Sequence, residues 1–143
     1  INIFNTFGYL ETEAEDLAVL RAVAGALKPG GVFLLETVSR DAILRHFVPA
    51  AVDHLTDDTL VLQEQVFDLQ TSRLEVRMTL IEADGTRRSY TQSVRIYTPT
   101  ELCSLHAAAG LQVEAVLGGL DGSPLTLDSL RLVVLARRPT NSD

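Results

Sequence analysis

The chain has 143 residues, 46% hydrophobic and 22% charged, enough for one domain with a real core and too few for two comfortable ones. Its formal net charge is −7 and it has no run of Lys or Arg, which argues against DNA, RNA or an anionic membrane surface as a partner. No apolar stretch approaches the roughly 20 residues of a membrane-spanning helix, and no signal-peptide pattern follows Ile1.

Ile1 to Phe4 reads as the end of a buried strand, and Asn5-Thr6-Phe7-Gly8-Tyr9 as the loop leaving it. Thr12 and Glu15 form the Thr-x-x-Glu signature that opens a helix, because each side chain can satisfy a free amide of the first turn. Leu17, Leu20, Ala24 and Leu27 then fall on one helical face, and Lys28-Pro29-Gly30-Gly31 ends the helix. Val32-Phe33-Leu34-Leu35 is a continuous apolar run, the pattern of a strand covered on both faces. Together these pieces predict a strand–helix–strand unit with parallel pairing over residues 1–40.

The pattern changes after Arg40. A short helix is expected over Asp41–Phe47, then three strands at Leu60–Leu69, Arg73–Glu82 and Arg87–Tyr97. In the middle strand Leu74, Val76, Met78 and Leu80 alternate with Glu75, Arg77 and Thr79. Asp84-Gly85 predicts a tight turn between the second and third, giving a three-stranded antiparallel meander over residues 59–97. Thr98-Pro99-Thr100-Glu101 opens another capped helix, which runs to Ala109 and stops at Gly110. Leu111–Leu117 and Leu130–Ala136 read as strands joined by the glycine-rich loop Gly118–Pro124, and Pro139–Asp143 as a solvated tail.

Leu27-Lys28-Pro29-Gly30-Gly31 before a buried strand resembles the turn before the fifth strand of Rossmann-like, S-adenosylmethionine-dependent methyltransferases. Arg95-Ile96-Tyr97-Thr98-Pro99-Thr100-Glu101-Leu102, Ala109-Gly110-Leu111-Gln112-Val113 and Gly119-Leu120-Asp121-Gly122-Ser123-Pro124 are similar to later segments of that family. The resemblance covers essentially the whole chain. It implies an α/β fold equivalent to the C-terminal half of the methyltransferase sheet, one partial domain with an antiparallel last strand and the meander inserted. It also implies S-adenosylmethionine as cofactor, with a small-molecule acceptor. The family's glycine-rich cofactor turn follows its first strand, whereas here Gly30-Gly31 precedes a strand and Gly118-Gly119 lies near the end. The expectation is that the cofactor-gripping residues lie upstream of Ile1 in a longer parent protein, this chain alone being inactive.

Open α/β sheets bind ligands beyond the carboxyl ends of their strands, here Asn2–Tyr9 and Glu36–Arg40. The family reading assigns Asn2, Ile3, Phe4 and Asn5 to the cofactor, against an alternative in which Ile3 and Phe4 are core and Asn5 caps a turn. Tyr9 is the catalytic candidate, its phenol able to orient an acceptor or take a proton, against a packed aromatic. Glu36 and Arg40 are substrate-binding candidates that can equally pair with each other. Arg95 and Tyr97 are expected to help close the substrate pocket, though an Arg held by helix or loop carbonyls fits the same pattern.

His46, His54 and His106 show no metal-ligand spacing, so no metal site is expected, and His106 reads as a packing or surface residue. Glu11, Glu13, Glu15 and Asp16, and the pair Asp57-Asp58, read as solvated charge clusters. The single cysteine, Cys103, excludes an intrachain disulfide and fits a reducing compartment, with the cytoplasm expected. The functional expectation is in-line methyl transfer by an enzyme, with a homodimer through the meander. The alternative is a non-catalytic α+β interaction domain that lacks the cofactor site, whose Ile1–Phe4 strand would leave an exposed apolar sheet edge.

Overall fold

The computed structural model describes residues 1–55 and 58–140; the expectations for Asp57 and for the last three residues of the tail lie outside them. The chain divides into two compact units, Ile1–Arg45 with Ile96–Asp143, and His46–Arg95.

The first unit holds α1 (Glu13–Ala26), β1 (Val32–Val38), α2 (Arg40–Arg45), α3 (Pro99–Ala108), β6 (Gln112–Leu117) and β7 (Arg131–Arg137). Its sheet has the order β1-β7-β6, with β7 antiparallel to both neighbours. The strand expected at Ile1–Phe4 is reduced to one bridge, Asn2 pairing parallel with Leu35 through Asn2 N–H to Leu34 O and Glu36 N–H to Asn2 O, both 2.8 Å. Pairing stops there because Phe4 (φ 61°) and Asn5 (φ 55°) leave extended geometry for the left-handed region.

Capping sets the helices as expected. In α1 the Glu15 amide donates to the Thr12 hydroxyl and the Thr12 amide to the Glu15 carboxylate; Thr98 and Glu101 repeat the arrangement at α3. The Thr12 hydrogen bonds hold the Glu15 carboxyl below its ordinary pKa. The end of α1 has no basic residue of its own. Its last carbonyls, on Ala24, Gly25 and Leu27, instead accept hydrogen bonds from the Arg138 guanidinium that follows β7. Gly30, at φ 77°, makes the turn into β1. Arg137 holds the same corner: it donates to Gly30 O at 2.6 Å and pairs through two nitrogens with Glu114 of β6, at 2.5 and 3.1 Å.

The core of this unit is built from Phe7, Leu20, Phe33, Leu35, Tyr97, Leu102, Leu105, Leu111, Leu132, Val134 and Ala136. The core draws on α1 through Leu20, on α3 through Leu102 and Leu105, and on alternate residues of β1 and β7. His106 is fully buried in α3, and Cys103 is half-buried.

The second unit is an antiparallel meander of four strands, not three: β2 (Ala50–His54), β3 (Leu60–Asp68), β4 (Arg73–Ile81) and β5 (Arg87–Arg95), in that order across the sheet. The later three match the expected strands within two residues, and Gly85, at φ 86°, makes the turn between β4 and β5. The additional strand β2 pairs antiparallel with β3 from Ala50↔Glu64 to His54↔Leu60. On one sheet face Phe67, Leu74 and Val94 align across β3, β4 and β5, followed by Gln65, Val76 and Gln92. Leu74, Val76 and Val94 are buried, whereas the opposite face carries Glu64, Glu75, Arg77 and Thr91 in the open.

Candidate functional site

The carboxyl end of β1 and the loop Asn2–Tyr9 meet in a network that the sequence pattern only partly suggests. Glu36 interrupts the apolar run of β1 and is only 4% exposed. One of its carboxylate oxygens accepts the Phe4 amide at 2.7 Å, and the other pairs with Arg131 Nη1 at 3.2 Å. Arg131 starts β7 opposite Val38, and Glu36 lies opposite Val133, so the pair is a diagonal cross-strand contact on one sheet face. Asn5 Oδ1 accepts the Thr37 hydroxyl at 2.6 Å and the Val38 amide at 3.4 Å. Thr6 closes the loop on itself, donating to Asn2 Oδ1 at 2.5 Å and to Ile3 O at 3.0 Å.

Two consecutive residues other than glycine in the left-handed region cost on the order of 1–3 kcal/mol each, and such geometry persists only where the surroundings over-determine it. Here the surroundings are the Glu36 carboxylate, the Asn5 side-chain bonds and the Thr6 hydroxyl. The result is that the Phe4 ring stands out of the fold at 79% exposure, while Phe7, three residues on, is buried. Gly8, at φ 97°, then turns the chain so that Tyr9 emerges 43% exposed.

The loop therefore gathers Asn2, Ile3, Phe4, Asn5 and Glu36, with Tyr9 at its far end. Glu36 pairs with Arg131. Arg40 is the first residue of α2, directly after Ser39, whose hydroxyl accepts the Ala42 amide at 3.4 Å. Arg95 ends β5 in register with Arg73, in the second unit. Tyr97 is 3% exposed, behind the loop: its ring lies 5.7 Å from that of Phe7, and its hydroxyl donates to Asp16 Oδ2 at 2.6 Å. Asp16 corrects the solvated-cluster expectation, being 1% exposed. It follows Leu20 by one helical turn in reverse, and that i, i+4 spacing on the apolar face is the signal that marks it as inward-facing. Arg131 and Thr37 carried no comparable sequence signal.

His106 is held in α3 with Nδ1 donating to Leu102 O at 2.7 Å, because a carbonyl can only accept. Its Nε2 is buried with no hydrogen-bond partner among the described residues, its ring lies 6.1 Å from Phe33, and burial lowers its pKa below 6.5. That is the environment of a neutral packing residue. Among the described residues no group of three or more His, Cys, Asp and Glu side chains can hold a metal ion, and no helix is long and apolar enough to cross a membrane. The second unit carries a groove of about 590 Å³, lined among others by Glu64, Val66, Glu75, Arg77, Thr91 and Ser93.

No protein-family model matches the chain. It is 28% identical over 136 residues to the cypemycin N-terminal methyltransferase of a Streptomyces species, covering 94% of this chain and 55% of that protein. It is 31% identical over 124 residues to the dTDP-4-amino-2,3,4,6-tetradeoxy-D-glucose N,N-dimethyltransferase of Saccharopolyspora spinosa, covering 84% of this chain and 49% of that one. Among solved structures it matches an S-adenosylmethionine-dependent methyltransferase from Clostridium acetobutylicum with a TM-score of 0.79 at 16% identity, covering 95% of this chain and 56% of that one. The chain thus has the α/β fold of the S-adenosylmethionine-dependent methyltransferases, in the part corresponding to their C-terminal half, and spans about half the length of the proteins it matches.

Proposed function

We propose that this chain is the acceptor-side part of an enzyme that transfers a methyl group from S-adenosylmethionine to the nitrogen of a small molecule or peptide. The observation that carries the reading is the Asn2–Tyr9 loop: a strained, multiply clamped turn at the carboxyl end of a strand, with an aromatic ring and a phenol held into solvent. The two curated relatives are both named for methyl transfer to nitrogen, one on a peptide N-terminus and one on an amino sugar, which supports an amine acceptor.

The residues present fit part of the cofactor. Phe4 offers an exposed ring face, suited to packing on a cationic sulfonium or its methyl group. Ile3 and the Asn2 side chain line the same turn with polar atoms that Thr6 already orients. The glycine-rich turn such a cofactor also needs is not among these residues. When bound, S-adenosylmethionine supplies an electrophilic methyl group with a neutral thioether as leaving group. The protein's part is alignment, since an in-line displacement gains most from holding the two reacting atoms close and collinear. Tyr9 is proposed to orient the acceptor amine, its half-exposed phenol oxygen accepting a hydrogen bond from the amine N–H while the proton released on methylation passes to water. Arg40 is proposed to contact the acceptor, and Tyr97 contributes by backing Phe7 beneath the loop. A homodimer through the meander is also proposed, with β2 as its edge, since all five of its residues are exposed.

Isothermal titration of the full-length protein with S-adenosylhomocysteine tests the reading. Saturable binding with one site per chain is expected; a folded full-length protein that gives no heat at millimolar ligand refutes it.

A further inference from the structure

We propose that the Glu36–Arg131 pair is a positioning device: it holds the left-handed Phe4–Asn5 turn in place and thereby sets affinity for the S-adenosyl ligand. The inference rests on the functional reading above, because that reading supplies the ligand. Arg131 enters as a positioning residue, acting through Glu36 and not by touching substrate.

The argument is one of cost. A carboxylate buried in an otherwise apolar strand loses solvation worth several kcal/mol, and one ion pair offsets this only when geometry is good and the remaining lone pairs are satisfied. Arg131 is 47% exposed along its side chain, so its attraction is weakened by solvent, while the Glu36 side chain is 6% exposed. A valine or leucine at position 36 would continue the run Val32-Phe33-Leu34-Leu35 without that penalty. The turn it supports is costly as well, since glycine at positions 4 and 5 would adopt these φ values freely. Two unfavourable features therefore depend on one another: the buried carboxylate is satisfied by the Phe4 amide, and the left-handed Phe4 is held by the carboxylate.

What the coupling achieves is placement. The Phe4 amide is fixed 2.7 Å from Glu36, and the ring it carries is held outward at 79% exposure. A glycine turn would be cheaper but could present no ring, and an unclamped Phe4 would relax to extended backbone and swing the ring away. The pair between β1 and β7 thus reaches the loop through a single carboxylate, one oxygen toward each side.

The test compares Glu36→Ala, Glu36→Gln, Arg131→Met and Arg131→Lys in the full-length protein. Amide exchange at Phe4 is followed by NMR, and S-adenosylhomocysteine binding by calorimetry. Glu36→Ala and Arg131→Met are expected to speed Phe4 exchange at least tenfold and to raise the Kd about tenfold. Glu36→Gln, which keeps an acceptor for the amide, should be milder, and Arg131→Lys should restore most of both. If Glu36→Ala does not fold, Arg131→Met decides alone, since it alters a half-exposed side chain. Unchanged Phe4 exchange in the folded variants overturns the proposal, and so does faster exchange with unchanged Kd. If the unaltered protein binds no ligand at all, the functional reading fails instead, and Phe4 exchange by itself settles whether the clamp exists.

Discussion

Removing one oxygen from the buried Tyr97–Asp16 contact should cost this protein a measurable share of its stability. Tyr97 is 3% exposed and Asp16 1%, and the hydroxyl donates to Oδ2 at 2.6 Å, a length typical of hydrogen bonds to a carboxylate. Tyr97→Phe keeps the ring, its packing on Phe7 and its volume, so the change isolates the hydroxyl. A hydrogen bond to a charged group contributes roughly 1.5–3 kcal/mol net. Asp16 sits in the first turns of α1, where the helix amides favour a negative charge, so the loss stays below that of an uncompensated buried ion. The expected cost is about 2 kcal/mol. For a domain of this size, roughly 3–4 °C per kcal/mol translates it into a fall of about 7 °C in Tm. Urea unfolding of the wild type, Tyr97→Phe, Asp16→Ala and the double variant completes a cycle, in which the double variant should lose less than the sum of the singles by about 1.5 kcal/mol. Strict additivity, or a Tyr97→Phe variant within about 0.5 kcal/mol of wild type, would refute the reasoning.

Stability should also depend on pH through His106. Burial holds its folded pKa below the ordinary 6.5, so between the two values the unfolded chain binds the extra proton; stability is complete above about pH 6.5 and declines as pH falls toward the folded pKa. His106→Phe should flatten that slope in urea melts taken from pH 7 to 5, and an unaltered slope would show that another group titrates. Gly31→Ala places a Cβ 2.8 Å from the Lys28 carbonyl oxygen, too close to be accommodated without moving backbone. It should lower stability by about 1–3 kcal/mol, and a thermal melt matching wild type would show that the turn adjusts freely. Under the proposed amine methylation, Tyr9→Phe in the full-length protein should reduce kcat by about tenfold or more while S-adenosylhomocysteine affinity stays unchanged; equal losses in both would place Tyr9 against the cofactor instead.

The elements that contiguous residues encode were legible without coordinates. Thr12 and Glu15 fixed the start of α1, Pro29 and Gly30 its end, and the alternation from Leu74 to Leu80 marked β4, because capping and periodicity are properties of neighbours in the chain. The family resemblance in Leu27–Gly31 and Arg95–Leu102 likewise pointed to the fold that the comparisons show. Strand β2 escaped because Ala50–His54 has no buried face and becomes a strand only by pairing with the edge of β3. The strand expected before the Asn2–Tyr9 loop shrinks to a single bridge, and the loop's left-handed turn was only half signalled, since Asn5 tolerates that region whereas Phe4 does not favour it. Glu36 was visible as a charge in an apolar run, whereas its partners were not: Phe4 reaches it across the parallel bridge and Arg131 across an antiparallel one. Asp16 lay on the inward face of α1, yet whether a carboxylate there is buried depended on a tyrosine hydroxyl arriving from the far side of the meander in sequence. Local preference settles which way the backbone turns, while the cost of burying a charge is decided by groups that only the tertiary fold brings within hydrogen-bonding distance.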